Sequence, residues 1–164
     1  MINGSDLSEK AKQMSLAIFK KIGESEGRIH GLPLEEVHFV TKICSTVIGP
    51  SASGVTILEQ LGVDKIVSAP VPVGSGRIHI AHGIYPVPAP ATLDILKGIP
   101  IEHTDVRGEL TTPTGAGIVA VLAETFGTLP AMKVTDIGYG AGTKTFADRP
   151  NVLRVVIGEQ DGQE

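Results

Sequence analysis

The strongest constraint on this sequence is a segment rich in proline and glycine, which runs from residue 81 to residue 116. Proline fixes φ and removes a backbone donor, so it is tolerated in the first turn of a helix but not in a helix interior or a central strand. The segment therefore predicts turns that set two helix starts, one at Pro90 and one at Thr114. It also holds a histidine, His82, and a carboxylate, Glu109, which a simple turn would not require.

The composition is that of a globular protein with an aliphatic core. The chain has 164 residues, of which 41% are hydrophobic, 20% are charged and only 4% are aromatic, with no tryptophan. The core must therefore be built from Val, Ile, Leu and Ala. This length predicts a single domain over residues 1–164, with a mobile tail at 159–164. The mixture of helical and strand patterns predicts an α+β fold, with helices packed on a mixed sheet.

Charge, cysteine content and hydropathy exclude several classes of protein. The formal net charge of −4 argues against a nucleic-acid surface, which needs a basic stripe. A single cysteine, Cys44, cannot form an internal disulfide, fits a reducing compartment and is expected to be a buried small hydrophobe. No apolar run reaches the ~18–20 residues of a membrane span, and residues 1–15 lack the apolar core of a signal peptide. These observations predict a cytoplasmic protein with no membrane partner.

The N-terminal region has the pattern of an amphipathic helix over residues 5–26. Asp6 can cap this helix, with Glu9 as its capping-box partner, and Gly31 followed by Pro33 ends it. A second helix is expected after Ser51 or Ser53 and ends at Gly62. Helical patterns also cover residues 90–96 and 118–126, and strand patterns cover residues 37–40, 65–69, 77–80, 132–139 and 151–157.

Two histidines near the first proline turn, His79 and His82, raise the question of a metal site. Residues three apart in a continuous strand point to opposite faces, so the two could share a metal only if the chain turns near Gly83. An exposed strand histidine is commonly a surface residue, which is the simpler interpretation of His79. His82 follows the strand and precedes the proline turn, a position where functional residues collect, and is the stronger candidate.

The start of the helix over residues 118–126 is a candidate anion site. The residues before it are small or carry hydroxyl groups and would leave backbone N–H groups accessible: Thr112, Thr114, Gly115, Ala116 and Gly117. The helix dipole and these donors attract a negative charge. The alternative is a simple N-cap formed by the side chain of Thr112 or Thr114.

A second glycine-rich stretch, at residues 138–145, superficially looks like a phosphate-binding loop. Its order is Gly142-Thr143-Lys144-Thr145, in which the lysine does not directly follow the glycine, and no apolar helix comes after it. A glycine-rich β-turn is therefore the better interpretation.

Four motifs carry a resemblance to a known family. They are Ala81-His82-Gly83 with Pro86-Val87-Pro88-Ala89-Pro90-Ala91-Thr92, Glu109-Leu110 with Thr112-Pro113-Thr114-Gly115-Ala116, Ile137-Gly138-Tyr139-Gly140-Ala141-Gly142, and Arg149-Pro150-Asn151-Val152-Leu153-Arg154. The chain resembles the central part of the nickel-insertion proteins of lactate racemase maturation, which are also called pyridinium-3,5-bisthiocarboxylic acid mononucleotide nickel chelatases. The resemblance covers about residues 7–159.

The resemblance implies a function and a set of ligands. Family members are lyase-class chelatases that use CTP to insert nickel into a mononucleotide cofactor. It implies His82 and Glu109 as candidates for metal transfer, and a phosphate at residues 112–117. No part of this chain resembles the family's C-terminal nucleotide-binding domain. The resemblance therefore implies a separate C-terminal subunit, or an oligomer, as the expected partner.

One departure from the family pattern supports a competing interpretation. After Phe39 the family has His-Glu-Val-Gly-Ala-x-Asp-Ser, whereas this chain continues with Val40-Thr41-Lys42-Ile43-Cys44-Ser45-Thr46-Val47. The histidine, glutamate and aspartate of that motif are absent. The alternative is therefore a non-catalytic structural or partner-binding remnant of the family. A generic nucleotide-binding enzyme is a third, weaker hypothesis that rests only on the glycine-rich loops.

Overall fold

The structure, a computed structural model, describes residues 2–37, 53–80 and 83–160. They belong to two compact units, Met1–Thr128 and Leu129–Glu164. Helices occur together with both parallel and antiparallel strand pairs, which confirms the predicted mixed α+β class. In the described residues these strands form separate two-stranded ladders, so parallel and antiparallel pairing are distributed among several small sheets. No helix in the described ranges is long and apolar enough to cross a membrane.

The first helix, α1, spans Glu9–His30 and begins at a different cap from the predicted one. The side chain of Ser8, rather than that of Asp6, accepts a hydrogen bond from the Ala11 N–H at 3.0 Å. The helix extends past the predicted range of residues 5–26 but stops at the predicted Gly31, which adopts the left-handed conformation with φ 65°. The Leu32 N–H then bonds to the Gly27 carbonyl at 2.9 Å and closes the last turn.

Two shorter helices follow local signals in the sequence. The helix α2 covers residues 53–60 and ends before Gly62, which has φ 63°. The Ser8 hydroxyl donates to a carboxylate oxygen of Glu59 and so ties the start of α1 to α2. The helix α3 spans Pro90–Ile95, with proline in its first turn, and is followed by Gly98 at φ 81°. Proline in the first turn and glycine after the last turn are the residues expected at the two ends of a helix.

The helix α4 spans Pro113–Leu122, which confirms the helix start predicted at Thr114 to within one residue, whereas the predicted helical pattern over residues 118–126 begins and ends too late. Its chain leaves the helix at Ala123, which has an extended conformation. Thr125–Phe126 then form a strand, β8, which pairs in parallel with β1 at Val67–Ser68. The Glu124 N–H donates to the Ile66 carbonyl at 2.9 Å, so pairing with a distant segment replaces the last predicted helical turn.

The remaining strands of the first unit are short and lie close together in the sequence. They are β2 at Val71–Pro72, β3 at Gly74–Ser75, β4 at Arg77–Ile80, β5 at Gly83–Pro86, β6 at Ile101–Glu102 and β7 at Gly108–Glu109. The strand β2 pairs in parallel with β6, whereas β3 pairs with β7 and β4 with β5 in antiparallel fashion. The predicted strand at residues 77–80 is confirmed as β4.

The core of the first unit is aliphatic, as the composition predicted. Its cluster of buried hydrophobic residues comes from α1, α2 and α4, from α3 with the residue after it, and from β2 with the residue after it: Ala11, Ile18, Ile22, Val55, Val71, Val73, Ile95, Leu96, Ala116 and Leu122. The helix α1 packs against both α3 and α4. The approach of α1 to α4 is very close, because a Cβ added to Gly117 would lie 2.8 Å from Cγ1 of Ile22.

The second unit contains an antiparallel hairpin of β9 at Lys133–Ala141 and β10 at Val152–Glu159, which confirms both predicted strands. A bulge interrupts the register between Ile157 and Gly158. The interpretation of residues 138–145 as a turn was wrong for its first half, because Gly138 to Ala141 belong to β9 and pair with β10. The loop starts at Gly142, whose N–H donates to the Asn151 carbonyl at 2.9 Å.

Several predictions concern residues outside the described ranges. The proposed strand at residues 37–40, the buried Cys44 and the segment that departs from the family pattern fall there, except for Val37. Val37 follows a 3-10 helix at Leu34–Glu36. The predicted tail begins at Glu159, a residue of β10 that pairs with Lys133 of β9, and residues 161–164 lie outside the described part.

Candidate functional site

The start of α4 has the geometry of a capped helix with few available donors. Thr112 is the N-cap, and its Oγ1 accepts a long hydrogen bond of 3.5 Å from the Gly115 N–H. Pro113 has no N–H to contribute. The Ala116 N–H donates to the Thr112 carbonyl at 2.9 Å and starts the regular helical pattern. The Thr114 and Gly115 N–H groups are therefore the first-turn donors that have no carbonyl one turn back.

The small residues of this segment serve two different purposes. Ala116 is fully buried in the core, and Gly117 is buried where α1 crosses α4. Their small size lets the two helices approach each other. By contrast, Thr114 and Gly115 are half-buried, and a Cβ on Gly115 would make an ordinary contact of 3.6 Å with Thr111. Only Thr112, Thr114 and Gly115 of the five predicted anion-binding residues are thus at least partly accessible to a ligand.

Glu109 lies in β7, three residues before this helix cap. It pairs with Gly74 of β3, it is half-buried, and its Oε1 atom is shielded from solvent. The segment that joins Glu109 to the helix is attached to the neighbouring strands. The Leu110 N–H donates to the Val73 carbonyl at 3.3 Å, and the Thr111 hydroxyl donates to the Pro72 carbonyl at 2.6 Å. Two of the sequence candidates, Glu109 and the α4 start, are therefore held in one short, well-anchored segment.

A close contact between two glycines supports the backbone of Glu109. Gly74 has φ 85°, and a Cβ on it would lie 1.9 Å from the Gly108 carbonyl oxygen. Gly108 also has a positive φ, of 120°. Beside them the Ser75 N–H and hydroxyl both bond to the Val106 carbonyl, at 2.9 and 3.0 Å. The sequence analysis missed this constraint, because it depends on the approach of two segments that are distant in the sequence.

The structure describes His79 but not His82, the two candidate metal-binding histidines. His79 is exposed in β4 and pairs with Ile84. His82 lies outside the described residues, and in the sequence it falls between β4 and β5. Within the described ranges, no group of three or more His, Cys, Asp or Glu side chains could hold a metal ion. A metal role for either histidine stays a prediction.

An ion cluster that the sequence analysis missed joins α1 to α3. Asp94 accepts hydrogen bonds from Arg28, at 2.7 Å to Nη2, and from the ammonium group of Lys97. Burial raises the pKa of the Asp94 carboxyl, but hydrogen bonds from Arg28 and Lys97 outweigh it and hold this pKa well below its usual range. The cluster attaches α3, the helix that follows the proline-rich residues 86–90, to α1, and this role of the cluster is structural.

Comparison with known proteins decides the family. The family model described as "Nickel insertion protein" matches residues 1–164, the whole length of the chain. The chain belongs to this nickel insertion protein family. The expected family resemblance is therefore confirmed.

Curated relatives of this nickel insertion family member are similar over most of its length. A protein of Geobacillus kaustophilus, named pyridinium-3,5-bisthiocarboxylic acid mononucleotide nickel insertion protein, is 51% identical over 98% of this chain. A protein of Staphylococcus epidermidis with the same name is 51% identical over 95% of the chain. A Geotalea daltonii protein, named putative nickel insertion protein, is 47% identical over 97%. No solved structure matches the chain.

The relatives are much longer than this family member. The chain covers 39% of the Geobacillus and Staphylococcus proteins and 41% of the Geotalea protein. It therefore spans about two fifths of the length of the curated relatives that it matches.

Proposed function

We propose that this chain supplies part of a nickel insertion activity, in which nickel is loaded into pyridinium-3,5-bisthiocarboxylic acid mononucleotide during lactate racemase maturation. The observation that carries the proposal is the family match over the whole chain, together with the similarity to proteins named for this activity. Nickel is a substrate in this proposal, and the mononucleotide accepts it.

The start of α4 is the proposed site for the phosphate of the mononucleotide. The donors proposed for the phosphate lie at the first turn of a ten-residue helix. They are the Thr114 N–H, the Thr112 hydroxyl and the Gly115 N–H, whose existing bond to Thr112 Oγ1 is long, at 3.5 Å. A helix of this length contributes a partial positive charge at its start, which stabilises a nearby anion by roughly 0.3–1 kcal/mol. The burial of Ala116 and Gly117 against α1 fixes the direction of the helix and hence of these donors.

His82 and Glu109 are the proposed residues for nickel transfer. Imidazole is a borderline ligand that suits nickel, whereas sulfur-bearing groups are softer ligands. A site with one imidazole and one carboxylate is sparse compared with the four ligands that are typical of a tight structural metal site. We therefore propose that these groups hold the metal transiently and release it to the sulfur atoms of the mononucleotide.

The proposed activity requires more protein than this chain. We propose that CTP is used by the part of the longer relatives that this chain does not cover. That part would act as a separate C-terminal subunit or within an oligomer, in the cytoplasm. The second candidate function is a non-catalytic, partner-binding remnant of the family. The observation that favours it is the loss of the histidine, glutamate and aspartate of the family motif that follows Phe39.

The test is a chimera in which this chain replaces the matching segment of the Geobacillus kaustophilus relative. The chimera is incubated with nickel, CTP and the mononucleotide, and nickel incorporation is followed by mass spectrometry. We expect nickel incorporation that falls at least tenfold with Gly115→Val, because the new side chain crowds the proposed phosphate donors. The matched control is Gly54→Val in the first turn of α2, where an added Cβ has open space. A folded chimera without nickel incorporation would favour the non-catalytic function.

A further inference from the structure

The hairpin of the second unit exposes a large amount of apolar surface. On β9, Ile137 is 51% exposed and Tyr139 is 66% exposed. On β10, Leu153 is 70% exposed and Val155 is 46% exposed. Side chains of this kind are normally buried in a sheet, so the exposure of several on one hairpin marks an interaction surface.

The exposed apolar residues lie on both faces of the hairpin. Residues opposite each other in an antiparallel pair share a face, and successive residues of a strand alternate between faces. Ile137 pairs with Val156 on one face. Leu153 and Val155 pair with Gly140 and Gly138 on the other face. An added Cβ on either glycine would meet nothing within 4 Å, so this second face has open space above the glycines.

A hairpin with these properties is an unstable structure by itself. A two-stranded hairpin is marginal in water without further strands or a packed face. In the described part of the chain, β9 and β10 pair only with each other, so each presents an outer edge of backbone donors and acceptors. Strands that are apolar on both faces are typical of the interior of a layered sheet, where both faces are covered.

We propose that this hairpin is the docking site for the portion of the nickel insertion protein that lies outside the segment matched here. The occupant adds a β-strand along one hairpin edge and covers the apolar faces with its own apolar side chains. The size of the relatives supports this occupant, because about three fifths of each lies beyond the matched segment. A second copy of this chain fits less well, since one symmetric contact covers one face and leaves the other exposed.

The inference rests on family membership and not on the proposed nickel chemistry. The two can fail separately, because docking is measured by amide protection and nickel insertion is measured by mass spectrometry. A chimera that protects the hairpin but loads no nickel would keep this inference and contradict the proposed function.

Hydrogen exchange tests the proposal directly. The isolated chain is compared with the Geobacillus chimera described above, and the exchange of the β9 and β10 amides is followed by mass spectrometry. We expect these amides to exchange at least 100-fold more slowly in the chimera. Equal exchange in the two proteins would overturn the proposal. A dimer of the isolated chain, detected by sedimentation, with an already protected hairpin would also overturn it, in favour of a second copy.

A paired substitution separates docking from general stability. Leu153→Asp introduces a charge at the proposed contact, so we expect it to lower the melting temperature of the chimera and leave that of the isolated chain nearly unchanged. The control is Leu61→Asp, at a residue in the first unit that is 51% exposed, which we expect to have the same small effect in both proteins. An equal effect of Leu153→Asp on the two proteins would contradict docking.

Discussion

The guanidinium group of Arg28 on α1 binds the carboxylate of Asp94 on α3 through two nitrogen atoms, at 2.7 and 3.0 Å, across 66 residues of sequence. The Asp94 side chain is only 11% exposed, whereas that of Arg28 is 51% exposed. The pair therefore joins two helices at the edge of the core, and its carboxylate is the partner that is removed from water.

The first prediction is that this carboxylate makes stability depend on pH. The pKa of Asp94 is lowered in the folded state, by hydrogen bonds that outweigh the effect of burial. Its contribution is therefore present above the unfolded pKa of about 3.9 and is lost as the pH falls further toward the folded pKa. We expect Asp94→Asn to cost about 1 kcal/mol at pH 7 and progressively less below pH 4. Urea unfolding at pH 7, 4 and 3 measures this difference.

Asp105→Asn is the control for this experiment, because the Asp105 side chain is fully exposed. The control should unfold at nearly the same urea concentration as the unmodified chain at pH 7. If Asp94→Asn lowered stability by the same amount at pH 3 as at pH 7, the ionised carboxylate would not be the source of the effect.

The second prediction concerns the crossing of α1 and α4. Gly117→Val should destabilise the fold by about 1–3 kcal/mol, because its Cβ would lie 2.8 Å from Ile22 and would separate the two helices. Gly115→Ala, two residues earlier, has only an ordinary contact of 3.6 Å and should be nearly neutral. Urea unfolding of the two variants measures the difference, and equal stabilities would contradict this packing.

The third prediction separates steric contact from backbone strain at two glycines with similar φ. Gly74 has φ 85° and Gly76 has φ 93°, but only Gly74 lies against the Gly108 carbonyl. Gly76→Ala should cost about 1 kcal/mol from its backbone conformation alone. Gly74→Ala should cost clearly more, because β3 must also move away from β7. Thermal unfolding compares the two, and a Gly74→Ala variant no less stable than Gly76→Ala would refute the close approach.

The fourth prediction is weak nickel binding by the isolated chain, with His82 as its main contributor. The chain offers two candidate ligands, whereas a tight structural metal site has about four. We therefore expect a Kd for nickel in the micromolar range or weaker, and we expect His82→Ala to increase it. Isothermal titration calorimetry with nickel measures both affinities. His79→Ala is the matched control and should have little effect, and tight binding that survives His82→Ala would place the site elsewhere.

Local sequence signals were sufficient wherever the deciding residues lie within one turn of each other. Gly31 follows the end of α1, and Pro90 starts α3, as predicted. A glycine with positive φ or a proline in a first turn acts through its own backbone, whatever the rest of the chain does. The strand patterns at residues 132–139 and 151–157 likewise predicted β9 and β10.

The predicted site was only partly determined by such signals. The sequence suggested the segment from Glu109 to Gly117, and the structure holds its first half against β2 and β3. The sequence alone could not distinguish small residues that leave room for a ligand from small residues that leave room for a neighbouring helix. Gly115 and Gly117 look equivalent in the sequence, but only Gly117 lies against Ile22.

Tertiary contacts decided the features that depend on distant residues. Phe126 continues a helical pattern, but pairing with Ser68 places it in a strand. The close backbone contact of Gly74 depends on Gly108, and the ion pair of Arg28 depends on Asp94, although each pair is widely separated in the sequence. A local pattern specifies which conformations a residue can adopt at low cost, whereas the partner that selects among them is brought into position only by the fold.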